Sequence, residues 1–350
     1  MSEMTIVAPA FDERLRDLLS RASQRSRALS PAFDDLWTAL EAMASGGKKL
    51  RPRMLMDAYA ALGGTDQHVA TDAACAVELL HLALVIHDDV IDKDCTRRGA
   101  PNITGAFATG AMLLGGERDK AREWGEATSI LAGDLVLTMA HSILARLDVD
   151  GERRNALLDA CEEAVYESAA GEQTDVWLSL HLEPVDPQHV LGMMEQKTAA
   201  YSFQAPLVLA AILAGSAPIV IEQITGIARR IGVIYQLRDD VLGLFGDERR
   251  TGKSALSDLR EGKETLLVAF ARVHPAWRDV EDLFGDEGLG EADGARLRQT
   301  IRASGALTVV ESVIAEHCDE TMRLIQDAQI PPALREQLTA LTSACSSRDS

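Results

Sequence analysis

An apolar run from Ala73 to Ile86, broken only by Glu78 and His81, leads directly into a cluster of acids, His87-Asp88-Asp89-Val90-Ile91-Asp92-Lys93-Asp94. The run is apolar on enough faces to predict a helix buried on most sides. A helix C-terminus carries partial negative charge, so acids there are unfavourable and call for a reason. Asp88 and Asp92 are four residues apart, which puts both carboxylates on one helical face about one turn from each other. Paired carboxylates suit magnesium, a hard cation that takes oxygen ligands and keeps water or phosphate oxygens as the others. The bland alternative is a solvated acidic helix end. Arg97, Arg98 and Gly99 follow at once, and forked cations beside a magnesium site point to phosphate, although the acids and arginines could also simply neutralise each other.

Composition narrows the fold. The chain has 350 residues, 47% apolar and only 4% aromatic, with abundant Ala and Leu. That mixture favours helix packing over sheets. No strand-like alternation persists anywhere, so the sequence predicts an all-α fold, read as one helical domain over 1–350 with loose ends at 1–9 and 343–350. The formal charge of −19 argues against nucleic acid or an anionic membrane as partner, and any anionic ligand must be held by a local basic cluster. Cys75, Cys95, Cys161, Cys318 and Cys345 show no metal-type spacing and read as reduced thiols of a cytoplasmic protein. No secretory signal stands at the N-terminus. Thr198 to Ile221 is uncharged, yet it contains Pro206, Gly215 and Pro218 and reads as buried core rather than a stable membrane span.

A local basic cluster is present. Gly46-Gly47-Lys48-Lys49-Leu50-Arg51-Pro52-Arg53 combines a glycine turn, four cations and a proline suited to a first helical turn, the pattern of an anion site at a helix start. Helices are expected over 11–40 with a break at Ser30-Pro31, over 127–147, over 151–180 and from Asp186 onward; residues 117–126 read as loop or short helix. Lys197-Thr198 stands at the entrance to the uncharged stretch. Residues 226–245 repeat the opening pattern, an apolar helix ending in Asp239 and Asp240 with Gln236 one turn earlier on the same face. Gly243 stands where a third acid of a D-D-x-x-D pattern belongs. A charged, glycine-rich loop with Lys253 and Lys263 follows, and after Ala276 two more amphipathic helices are expected.

Taken in order, these motifs resemble the trans-isoprenyl diphosphate synthases of the polyprenyl synthetase family, and most of all the bacterial geranylgeranyl diphosphate synthases. GGKKLRP is similar to the family's G-G-K-x-x-R-P, HDDVID with RRGAP to its first aspartate-rich motif, and YQLRDD with TGK to its second. The resemblance implies an antiparallel helix bundle around a deep cavity, a homodimer, and magnesium-dependent condensation of isopentenyl diphosphate with an allylic diphosphate. It implies that Lys48, Arg51, His81 and Arg98 bind isopentenyl diphosphate. Asp88 and Asp92 would hold magnesium on the allylic diphosphate, with Arg97 contacting that diphosphate. Lys197, Thr198, Gln236, Asp240 and Lys253 would line the allylic site, and Asp239 would bring magnesium from a second helix. In the family, bulky aromatics four and five positions before the first Asp stop growth at fifteen carbons; here those positions are Leu84 and Ala83, which implies a longer product, geranylgeranyl diphosphate. A class I terpene cyclase is the first rival, but its Asn/Asp-rich second motif is missing. A non-catalytic subunit of a heteromeric synthase is the second, made conceivable by Gly243 and opposed by the intact first motif.

Overall fold

Short polar residues set where the helices begin. In the computed structural model, which describes residues 8–97, 99–182, 185–246 and 256–348, α1 (Ala8–Ser26) ends before Ser30, whose hydroxyl accepts the Phe33 N–H and starts α2 (Pro31–Ser45). After α3 (Leu50–Ala61), Asp66 caps α4 (Gln67–Ile91) by accepting from His68 and Val69, and Asn102 caps α5 (Ile103–Leu113) in the same way. The chain continues through α6 (Arg118–Ala145), α7 (Gly151–Ser179), α8 (Pro187–Met194), a π-helical stretch (Glu195–Gln204), α9 (Ala205–Leu213) and α10 (Pro218–Phe245). Beyond it come α11 (Ser257–Arg260), α12 (Leu266–Arg272), two 3₁₀ turns, α13 (Glu291–Ala303), α14 (Ala306–Asp327) and α15 (Pro332–Ser346). Among the described residues the only extended pairing is Thr96–Arg97 against Ala100–Pro101, so the all-α expectation holds.

Four boundaries differ from expectation. Residues 118–126, read as a loop or short helix, are the first turns of the long α6, because Ala121 and Gly125 are buried while the charged residues around them are exposed or paired along the helix, as in Arg122 with Glu126. The uncharged stretch from Thr198 is divided by a left-handed turn at Gly215 (φ 69°) before Pro218 starts α10. The C-terminal region forms three helices instead of two, parted by Gly305 (φ 84°) and Pro331. Helix α15 also runs to Ser346, since Thr342 and Cys345 are buried, so the end expected to be loose from 343 is helical for four more residues.

The chain divides into two compact units, Met1–Cys161 with Pro206–Ser216, and Glu162–Ala205 with Ala217–Ser350. The first is built on α4, where Leu79, Leu80, Ala83 and Ile86 are almost fully buried. It packs on α6 at Gly133, where a Cβ would stand 2.2 Å from His87 Nε2. The second is built on α10, through Ile224, Ile231, Ile234 and Leu237. Two helices of the second unit pinch the π-helical stretch. A Cβ on Gly171 of α7 would lie 2.2 Å from the Lys197 backbone nitrogen, and one on Gly232 of α10 would lie 2.3 Å from Ala199 Cβ and 2.5 Å from its Cα. Only glycine allows backbones this close.

Gly232→Ala therefore sets a helix-propensity gain of about 1 kcal/mol against an overpacking cost of about 1–3 kcal/mol. The atoms in the way are backbone and Cβ, which cannot swing aside, so the cost prevails. The variant should unfold at lower urea concentration than the parent, and an unchanged or higher midpoint would refute the tight packing.

Candidate active site

Each unit carries a polar site of its own at a helix end. In the first, α4 stops with the Asp92 N–H still bonded to the Asp88 carbonyl at 2.9 Å, so the helical spacing of the two acids is preserved. The Lys93 N–H then reaches Val90 and the Asp94 N–H reaches Asp89, closing the last carbonyls in a Schellman arrangement. Lys93 takes the left-handed position usually given to glycine (φ 59°), a strain of about 1 kcal/mol beside the acids.

The three aspartates differ in surroundings. Asp88 is half-buried and Asp92 exposed, whereas Asp89 is buried. Arg97 serves Asp88 and Asp89, with Nε 2.7 Å from Asp89 Oδ1 and Nη2 3.1 Å from Asp88 Oδ2. Burial pushes the Asp89 carboxyl above the usual range, and the Arg97 hydrogen bond and charge oppose that shift. Asp89 thus anchors Arg97, a role the motif alone does not reveal. Among the described residues no group of three or more His, Cys, Asp or Glu side chains converges. A cation held by Asp88 and Asp92 must take its other ligands from water or a phosphate, which fits the oxygen donors and hydrated habit of magnesium.

The basic turn sorts its two lysines. Lys49 has a left-handed backbone (φ 49°) and turns inward, its ammonium 2.8 Å from Glu78 of α4 and also bonded to the Ala44 carbonyl. Lys48 is exposed, Arg51 lies half-buried in the first turn of α3, and His81 is half-buried on α4. Ala83 is fully buried and Leu84 half-buried on the same helix. Arg98 and Lys253 fall outside the described residues.

The second site is a pocket lined by Lys197, Thr198, Gln236, Asp240, Lys263 and Thr265, with Met193 and Met194 as apolar wall. Lys197 and Thr198 lie on the π-helical stretch, whose wider winding sets them differently from an α-helical pair. The Lys197 ammonium sits 2.6 Å from Asp175 and 2.9 Å from Glu172, both on α7. Thr198 donates to Gln236 Oε1 at 2.9 Å, and Gln236 Nε2 donates to Asp240 Oδ1 at 2.8 Å. The other oxygen of Asp240 is buried without a partner among the described residues. Burial pushes this carboxyl up to about 7, with the Lys263 charge pulling the other way. Asp239 is paired with Arg348 at 3.1 Å, and Arg348 also stacks over Tyr235.

Nothing in the sequence motifs marks Lys263, Asp175 or Glu172 for a role here. Lys263 was visible as a cation in a glycine-rich loop, but nothing marked it above its neighbours. At Gly243 a Cβ would lie 2.6 Å from Asp258 Oδ2, so another carboxylate fills the space a third acid would enter. No thiol offers a nucleophile in the core: burial pushes Cys75 and Cys345 up to about 12 and Cys161 to about 11.

An all-helical fold with acid pairs near helix ends, in which the buried thiols are held protonated, suits the holding of diphosphates and hard cations. The chain belongs to the polyprenyl synthetase family, whose family model matches residues 35–297. It is 33% identical over 281 residues to a geranylgeranyl diphosphate synthase of Methanosarcina mazei, covering 79% of this chain and 78% of that protein. It is 31% identical over 293 residues to a (2E,6E)-farnesyl diphosphate synthase of Mycobacterium tuberculosis, covering 81% and 75%. Its fold is similar to the crystal structure of a geranylgeranyl pyrophosphate synthase from Corynebacterium glutamicum complexed with isoprenyl diphosphate and magnesium (TM-score 0.88, 31% identity, 97% of this chain and 98% of that one).

The two neighbouring lysines should separate by experiment. Lys49→Met leaves Glu78 buried without its cation and should cost about 3 kcal/mol of stability, whereas Lys48→Met should stay within about 0.5 kcal/mol. Denaturant titration checks both, and equal effects would overturn the inward assignment of Lys49.

Proposed function

We propose that this chain condenses isopentenyl diphosphate with an allylic diphosphate, with magnesium, to give geranylgeranyl diphosphate. The observation that carries the reading is the pair Asp88 and Asp92 at preserved helical spacing, with Arg97 on the first of them. Support comes from the family and from the relatives named above, which make farnesyl and geranylgeranyl diphosphates by name.

In this reading Asp88 and Asp92 would hold magnesium, as would Asp239, and the metal would supply positive charge to the allylic diphosphate whose carbon–oxygen bond is to break. Arg97, Lys197 and Lys263 add fixed positive charge for the leaving diphosphate, with Thr198 and Gln236 orienting the pocket and Lys253 assigned there from the family resemblance. Lys48, Arg51, His81 and Arg98 take the diphosphate of isopentenyl diphosphate. The apolar residues before Asp88 shield the carbocation from water, and no side-chain nucleophile is needed. Asp258 supplies a carboxylate beside Gly243, which favours an active enzyme over a non-catalytic subunit. The protein is read as cytoplasmic, its five cysteines being free. Two described helices are long and apolar enough to cross a membrane, but α4 is mostly covered by protein. On α6, Trp124, Ile130 and Leu131 are exposed, as are Leu113 and Leu114 at the end of α5, and a second copy of the chain is the proposed cover.

Purified protein given magnesium, isopentenyl diphosphate and each allylic primer in turn should yield a twenty-carbon product by chromatography. Loss of the metal to a chelator should abolish turnover, and no product from any primer would refute the reading. Asp88→Ala should lower kcat about 10²- to 10³-fold while circular dichroism stays that of the parent; near-normal turnover would remove Asp88 from the site. Lys48→Ala and Arg51→Ala should mainly raise KM for isopentenyl diphosphate. Ala83→Phe should shift the product to fifteen carbons or fewer, with Leu84→Phe at the half-buried neighbour as the milder substitution. Unchanged products from both folded variants would place the stop elsewhere.

A further inference from the structure

The loop that carries Lys263 is anchored on both sides by groups to which the reaction above gives no role. On one side, Gly262 (φ 67°) offers its carbonyl to His181 Nε2 at 2.9 Å. A Cβ at Gly262 would stand 3.0 Å from His181 Cε1 and 3.2 Å from Gly285 Cα, so the glycine lets the ring come this close. On the other side, Glu264 is fully buried and grips the Arg272 fork at 2.9–3.2 Å, with His181 Nε2 3.4 Å from the same carboxylate. Arg272 is itself stacked over Trp277 and Phe284 at 5.2 and 5.3 Å, and the His181 ring packs on Phe284. Between these anchors the Lys263 N–H bonds to the Asp258 carbonyl at 2.9 Å, and its own carbonyl accepts from Thr265 at 3.0 Å.

A fold that needed only stability here would gain as much from apolar residues, because the desolvation of a buried ion pair roughly cancels its attraction. What the pair does supply is fixed geometry. A lysine ammonium rides on four rotatable carbons and can be placed no better than its backbone. We propose that His181 and Arg272 are positioning residues for Lys263: by holding Gly262 and Glu264 they keep its ammonium in the pocket that takes the allylic diphosphate. The proposal rests on the reading of that pocket given above.

His181→Asn suits the test, because asparagine tolerates the left-handed backbone of this position (φ 52°) while its side chain is too short to keep both contacts. KM for the allylic diphosphate should rise about tenfold, with KM for isopentenyl diphosphate within about twofold of the parent. In a Lys263→Ala background the same His181 change should move the allylic KM less than about twofold, since its route of action is gone. Arg272→Lys keeps a charge opposite Glu264 but loses the fork, and it should show the same selective rise and the same dependence on Lys263. Equal rises in both KM values, or effects that add in the Lys263→Ala background, would overturn the positioning role while leaving the pocket reading intact. An unchanged allylic KM in Lys263→Ala alone would overturn the pocket reading, and the positioning role with it.

Discussion

Carboxylates gathered in a partly buried place must be offset by cations or take up protons, and both units are arranged around that constraint. Arg97 lies across Asp88 and Asp89, Lys49 on Glu78, Lys197 between Asp175 and Glu172, and Arg348 on Asp239. In a chain of net charge −19 these cations go where acids are closest together, not over a broad surface. Asp240 is the exception that shows the rule. It is buried, one oxygen has no partner among the described residues, and its carboxyl is pushed up to about 7. In the reading proposed above, a dication and a diphosphate would bring both signs of charge, so that they could take over the pairings of Asp88 and Asp239 without leaving either carboxylate bare.

Charge alone does not place the groups; backbone contact does. Gly171 and Gly232 let α7 and α10 close on the π-helical stretch that bears Lys197 and Thr198. Across that contact the Thr198 hydroxyl meets Gln236, and Gln236 meets Asp240. A side chain at either glycine would part the helices and open this relay before it touched the pocket itself. The link from sequence to chemistry in the second unit thus runs through two residues that have no side chain.

Much of this was legible beforehand, and the reasons are local. Four-residue spacing puts Asp88 and Asp92 on one face whatever packs around them, and caps such as Ser30 and Asp186 act within three residues of themselves. What escaped reading depends on partners far along the chain. Asp89 and Asp88 are neighbours of the same type, and only the surrounding packing decides which one is buried against Arg97. Lys48 and Lys49 are identical in composition, and a left-handed backbone at the second turns it inward to Glu78, 29 residues on. The π-helical winding lies where Gly171 and Gly232 bring two other helices into close backbone contact, a long-range circumstance that no propensity within 195–204 announces. Lys263 lines the pocket in a loop flanked by residues tied to His181, 81 positions from Gly262.

Gly243 is the place where the motif and the structure must be weighed together. Read along the chain, it is a missing acid. In space, the position a Cβ would take is 2.6 Å from Asp258 Oδ2, and Asp258 is already close enough to Asp240 to raise its carboxyl further. A third aspartate at 243 would set like charges almost in contact beside a carboxyl that burial alone already drives toward its protonated form, a combination that low dielectric makes costly. Glycine avoids that repulsion and leaves the room to a carboxylate carried by α11. The space near the end of α10 thus holds a carboxylate from the neighbouring helix α11 although the three-acid pattern along the chain is broken at 243.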